Sequence, residues 1–133
     1  LIDRLREQHN FTRARKAQPQ NWYSFSAGQT GFKYGISFAR GDRLRAELYI
    51  DAGDGDENLD ALETLKDDSD QIEQRFESDL EWERLEDSRA CRVAAYRDGS
   101  IMNTELHETY EDWAVEQLLK FENAFSNRLG RVT

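Results

Sequence analysis

Two neighbouring runs constrain the fold of this chain more than any other feature. "FKYGISFAR" (32–40) and "RLRAELYID" (43–51) both alternate apolar and polar residues with a period of two. In the first run Phe32, Tyr34, Ile36 and Phe38 fall on one side, with Lys33, Gly35 and Ser37 on the other. In the second, Leu44, Ala46, Leu48 and Ile50 oppose Arg45, Glu47 and Tyr49. Successive strand side chains point to opposite faces, so this spacing predicts two strands that each bury one face. Gly41-Asp42 between them suits a tight hairpin turn, because glycine adopts positive φ without steric cost. A short aromatic run, "NWYSFS" (21–26), precedes them as a third strand. The expectation is an antiparallel meander, dry on one face and polar on the other.

Helical spacing frames these strands. Leu1, Ile2, Leu5 and Phe11 predict an amphipathic opening helix closed by Pro19, which cannot continue a helix. After the loop "DAGDGDEN", Asn58 is the expected N-cap of a helix from Leu59, carrying Leu62, Leu65, Ile72, Phe76 and Leu80 on one stripe. Asp70 and Glu73, at capping-box spacing, predict a break near "KDDSD". In "LEWERLEDSRACRVAAY" (80–96), Leu80 and Trp82 alternate with Glu81 and Glu83. Past a turn, Cys91, Val93 and Ala95 alternate with Arg92, Ala94 and Tyr96. The pattern predicts a hairpin with a wet outer face, where Glu81 or Glu83 opposes Arg89 or Arg92 across the strands. Asp98-Gly99 marks a turn. A last helix is expected from Thr109, boxed with Asp112 and carrying Tyr110, Trp113, Leu118, Phe121, Phe125 and Leu129, with Gly130 as C-terminal cap.

The element order α-β-β-β-α-β-β-α predicts an α+β fold: a two-layer sandwich with a mainly antiparallel sheet of about five strands packed against helices. The 133 residues read as a single domain (1–133), and a start at Leu1 inside an amphipathic pattern points to the C-terminal fragment of a longer protein. An aromatic fraction of 11% argues against disorder, and a charged fraction of 34% predicts a heavily charged surface. The formal charge of -9 disfavours a general nucleic-acid or anionic-membrane binder. The basic residues are mostly arginine, however, and Arg4, Arg6, Arg13, Arg15 and Lys16 crowd the start while acids concentrate between Asp51 and Asp87. Cys91 is the only cysteine, so no internal disulfide forms and a cytoplasmic location is expected. No apolar run approaches the roughly 20 residues that a membrane span needs, so no membrane partner is expected.

The succession "NWYSFSAG", "YGISFARGDRLRAELYID", "LKDDSDQIEQRF", "LEWERLEDSRACRVAAY" and "DWAVEQLLKFENAF" resembles a bacterial and archaeal family of domains of unknown function. The resemblance covers nearly the whole chain, and its most characteristic piece is "IEQRFESDLEWERLEDSRACRV". Members commonly form the C-terminal part of restriction-endonuclease-like proteins. The resemblance therefore implies a cytoplasmic accessory domain, with a nuclease-like domain ahead of it in the same chain, linked to nucleic-acid metabolism or defence. It supplies no catalytic residue.

The residues themselves offer two chemistries. A metal-dependent nuclease needs acids that hold a divalent ion and a lysine to orient or deprotonate water. Glu47 and Asp51, with Lys33 on the neighbouring strand and Asp42 as another second acid, are the candidates; Mg²⁺ is the cofactor under that reading alone, and otherwise none is expected. Glu47 is followed two positions later by Tyr49 where that chemistry wants a lysine. The acidic loop after Asp51 fails the calcium-loop register from every starting Asp, so it is expected to be a solvated lead into a helix. His9 and His107 match no zinc pattern. The binding alternative uses the polar sheet face, lined by Lys33, Arg45, Glu47, Tyr49 and Arg92, with Trp22 or Tyr23 at its edge. Arginine and aromatic side chains on a sheet stack bases or grip phosphates, although outward polar residues on a solvated face need no such role. The expected function is a non-catalytic accessory domain contributing nucleic-acid contacts, partner contacts or dimerisation. A divergent nuclease-like domain and a purely structural, homo-oligomerising module are the alternatives.

Overall fold

The structure, a computed structural model, describes residues 22–39, 41–85, 88–99 and 107–129. The expected opening helix, its arginine cluster, Pro19, His9 and the Gly130 cap lie outside the described residues. Strands β1 (Trp22–Ser26), β2 (Phe32–Ala39) and β3 (Arg43–Ile50) are followed by helices α1 (Gly55–Asp67) and α2 (Ser69–Phe76). Strands β4 (Glu81–Arg84) and β5 (Cys91–Asp98) and helix α3 (His107–Phe125) complete the chain. The five strands form one antiparallel sheet in the order β1-β2-β3-β5-β4. The fold is α+β, with three helices among the described residues.

The period-two pattern sets the register. Phe25, Tyr34, Leu48, Val93 and Trp82 stand side by side across all five strands, and Ile36, Ala46 and Ala95 form the next row. The helices cover this face with Leu62, Leu65, Ile72, Phe76, Leu118, Phe121 and Phe125, all buried. Phe76 meets Phe121 edge-on at 4.7 Å, and Trp82, half-buried, lies 6.3 Å from Phe125. Each fully buried side chain of this size contributes about 1.5–3 kcal/mol, so the seam between α2 and α3 is a principal source of cohesion. Cys91 faces the same core, and burial raises its thiol pKa.

Local chemistry departs from the sequence expectation at three helix starts. Helix α1 begins earlier than Leu59: its N-cap is Asp54, whose carboxylate accepts from Glu57 N–H at 2.9 Å. Asn58 is not a cap but a fully buried hub. Its Oδ1 accepts from Ala52 N–H (2.7 Å) and Gly53 N–H (3.1 Å), and its Nδ2 donates to Asp51 Oδ1, Gly53 O and Arg89 O. A buried amide must satisfy both ends, and this one does so by binding the loop after β3 to the segment before β5. Helix α2 starts at Ser69 behind Asp68, one residue before the proposed Asp70 box, and Glu73 instead accepts from Leu80 N–H at 2.6 Å. Arg128 holds the α1–α2 break from the far end of the chain, donating to Asp68 (2.9 Å) and Gln71 (3.2 Å). Helix α3 starts at His107, so Thr109 lies inside it rather than capping it.

Two turns need their glycines. Gly41 and Asp42 both take positive φ (79° and 54°) between β2 and β3, and Gly99 N–H donates to Asp42 O at 2.8 Å. Gly31, at φ 88°, lies so close to the Ala52 backbone that a Cβ would collide with it, while its carbonyl accepts from Asp51 N–H at 2.8 Å. No helix among the described residues is long and apolar enough to cross a membrane.

Candidate functional site

The face of the sheet turned away from the helices carries the candidate site. Alternation puts Lys33, Ser37, Arg43, Arg45, Glu47, Tyr49, Glu83, Arg92 and Tyr96 there, and the register arranges them in rows. One row runs Lys33, Tyr49, Arg92, Glu83 across β2, β3, β5 and β4; the next runs Gly35, Glu47, Ala94, Glu81; the third has Ser37, Arg45 and Tyr96. Glu83 directly opposes Arg92, as one of the expected cross-strand pairs required.

The side chains interlock instead of extending separately into solvent. Arg92 Nε donates to Glu83 Oε1 at 2.7 Å, and the Tyr96 hydroxyl donates to Glu83 Oε2 at 2.7 Å. Arg45 Nε and Arg92 Nη1 each lie 3.7 Å from Glu47 Oε2, close enough for ion pairing but beyond hydrogen-bond reach. The Arg43 guanidinium sits 4.2 Å from the centre of the Tyr96 ring, a cation–π contact. The face is therefore not the freely solvated surface expected from its polarity: the Glu47 side chain is 14% exposed and Ala94 beside it is wholly buried. The cause lies in the row structure. Small residues, Gly35 and Ala94, flank Glu47, and long arginines from the adjoining rows close in around its carboxylate. Ser37 Oγ, Arg45 Nε and Glu47 Oε2 are buried there without hydrogen-bond partners.

The two carboxylates respond oppositely. Burial raises the Glu47 pKa; Arg45 and Arg92 pull it down without cancelling the rise, and the Glu83 charge adds to it. Burial also acts to raise Glu83, but hydrogen bonds from Tyr96 and Arg92, and the Arg92 charge, more than offset it and hold Glu83 below its ordinary value. Tyr96 is raised by burial and by its bond to Glu83. Glu83 is thus a fixed anion that orders Arg92 and Tyr96, whereas Glu47 is the strained member of the set.

Of the binding candidates read from the sequence, Arg45, Glu47 and Arg92 come together. Tyr49 lies beside Arg92 in register, and Lys33, exposed, lies beside Tyr49. Trp22 and Tyr23 have their backbones in β1. Asp51 stands apart at the end of β3, where Arg89 grips it through Nε (2.9 Å) and Nη2 (3.2 Å). Four residues along a strand put Glu47 and Asp51 about 13 Å apart, and the span to Asp42 at the opposite end is longer still. The groups nearest Glu47 Oε2 are guanidinium groups, which occupy the ground a metal ion would need. Among the described residues no group of three His, Cys, Asp or Glu side chains could hold a metal ion. Glu83, Tyr96, Arg43 and Ser37 are the members that sequence reasoning left out of the site. Alternation already put all four on this face; what it lacked was the pairing of β5 with both β3 and β4.

A family profile described as Domain of unknown function (DUF4268) matches residues 1–129, so the chain belongs to that family. No curated protein and no solved structure matches the chain.

Proposed function

From this membership of the DUF4268 family, we propose that the chain is a non-catalytic accessory domain of a nuclease-related protein. It contacts nucleic acid through the open face of its sheet and works beside a nuclease-like domain of the same protein in the cytoplasm. The observation that carries the reading is the segregation of charge between the two layers. The helical layer exposes Asp56, Glu57, Asp60, Glu63, Asp67 and Asp68, while the opposite face gathers Lys33, Arg43, Arg45 and Arg92 with two tyrosines around Glu47, Glu81 and Glu83. A net charge of -9 is thus compatible with a local phosphate-facing surface, because counterion release depends on the contact patch and not on the whole chain. Arg43 stacked on Tyr96 supplies a flat cationic platform of the kind that unpaired bases stack on. Glu83 and Glu47 act in this reading as braces that fix the guanidinium groups. The separation of Glu47 from Asp51 and Asp42 supports a binding role over the metal-dependent nuclease alternative.

The test is binding of the 133-residue chain to labelled single- and double-stranded DNA and RNA, with and without Mg²⁺, at two salt concentrations. The expected result is salt-sensitive binding that Arg43→Gln and Lys33→Gln each weaken, with the salt slope falling by about one per lost phosphate contact. No binding at low salt overturns the nucleic-acid reading and leaves dimerisation or partner contacts. Mg²⁺-dependent shortening of the probe overturns the non-catalytic one.

A further inference from the structure

Among the described residues the sheet has an unfinished edge beyond β4. Gly99 N–H bonds to Asp42 O, continuing the register in which Asp98 faces Arg43. Hydrogen-bonding groups alternate along an antiparallel strand, so the N–H and C=O of Cys91, Val93, Ala95 and Arg97 turn toward β3. Those of Arg92, Ala94, Tyr96 and Asp98 turn the other way. There β4 meets Arg92 and Ala94 with Glu83 and Glu81, and it starts no earlier than Glu81. Extended by two residues, that register would set Asp79 against Tyr96. The chain instead bends away, with Leu80 buried and its N–H held by Glu73. Among the described residues no strand pairs with the β4-side edge of β5 beyond Ala94, although the Asp98 carbonyl accepts from Arg97 Nε at 3.1 Å.

A groove of about 430 Å³ occupies this gap, lined by Asp79, Glu81, Tyr96, Trp113, Gln117 and Lys120 among others. Gln117 is 7% exposed, and among the described residues no hydrogen-bond partner engages its carboxamide. A buried amide on a groove wall is ready to donate and accept at once. Lys120 is drawn to Glu116 on its own helix at 3.4 Å, which leaves Asp79 and Glu81, both exposed, to set the charge of the groove mouth.

We propose that this groove takes an extended, lysine- or arginine-bearing peptide of a partner protein, which adds as a strand to the outer edge of β5 in line with β4. The Tyr96 N–H and C=O exchange main-chain bonds with the peptide, as in other strand additions. Gln117 bonds its backbone from the helix side, Trp113 packs an apolar residue, and Asp79 and Glu81 pair with its cations. Main-chain pairing supplies affinity and the acidic rim supplies selectivity. The proposal differs from the nucleic-acid reading in engaging the main-chain edge of β5, although the side chains of Tyr96 and Glu81 belong to the face which that reading uses.

The test is an NMR titration of the 133-residue chain with a blocked hexapeptide alternating lysine and valine, set against one alternating glutamate and valine. The lysine peptide is expected to shift the Tyr96 amide and the Gln117 side-chain NH₂ and to slow Tyr96 amide exchange. Asp79→Lys with Glu81→Lys is expected to weaken its binding by about tenfold, the loss of two exposed ion pairs, and to favour the glutamate peptide. Three outcomes overturn the proposal: no shift at Tyr96 and Gln117 at millimolar peptide, equal binding of the two peptides, or shifts confined to the Lys33–Arg45 face.

Discussion

Glu47 and Glu83 share one sheet face and one arginine neighbour, Arg92, yet their protons obey opposite rules. Glu83 is held below the ordinary 4.5 in the folded chain, so its stabilising contribution is present above that value and disappears as pH falls through its folded pKa. Glu47 is raised above 4.5, so its contribution is complete below that value and is lost as pH rises through its folded pKa. Removing Glu83 therefore matters most at neutral pH. Glu83→Gln is expected to cost about 1–3 kcal/mol at pH 7, through weakened charge-assisted bonds to Arg92 and Tyr96. The gap to wild type should narrow at acid pH, below 4.5, as wild-type Glu83 itself takes up a proton. Urea midpoints at the two pH values decide this; an equal gap at both would mean that the carboxylate charge plays no part. Alternation made Glu47, Arg45 and Arg92 legible as one face, but not their depth. Burial arose from Gly35 and Ala94 flanking Glu47 in a row assembled from three strands, and no stretch of sequence contains that row.

At the scale of elements, the strands were readable and the helix starts were not. A period of two is a property of the chain itself, so β2, β3 and β5 follow directly from their residues. A cap is a competition among several short polar side chains within a few residues, and geometry decides it. Asp54 won over Asn58 because Asn58 was drawn inward to bond both sides of the loop after β3. The β1–β2 connection poses a similar question for its two glycines, which have nearly the same φ, 85° at Gly28 and 88° at Gly31. A Cβ at Gly28 meets nothing within 4 Å, whereas at Gly31 it meets the Ala52 backbone. Gly28→Ala is expected to cost about 1 kcal/mol, the penalty of a left-handed alanine alone. Gly31→Ala adds a backbone collision and is expected to cost at least about twice that, separating the β1–β2 turn from the end of β3. Thermal midpoints of the two variants measure the difference, and equal losses would rule out the close approach.

At the scale of the molecule, the placement of β5 between β3 and β4 was the least legible feature. The forty residues between β3 and β5 hold two helices and a strand, and nothing local dictates which edge the returning strand chooses. Once β5 docks on β3, the central strand has hydrogen-bonded neighbours on both sides and β1 has one. Protection from exchange should follow that order. Every amide from Leu44 to Ile50 points into a ladder, toward β5 at Leu44, Ala46, Leu48 and Ile50 and toward β2 at the residues between. In β1 the ladder to β2 is continued by Ala27 N–H bonding Phe32 O, so Tyr23 and Phe25 point inward while Ser24 and Ser26 point outward. Native-state hydrogen exchange is therefore expected to show continuous slow exchange along β3, alternating slow and fast amides along β1, and a fast Tyr96 between slower Ala95 and Arg97. Uniform protection along β1 would instead mean that another segment pairs with its outer edge. A slow Tyr96 amide in the free chain would mean that the gap beyond β4 is already filled.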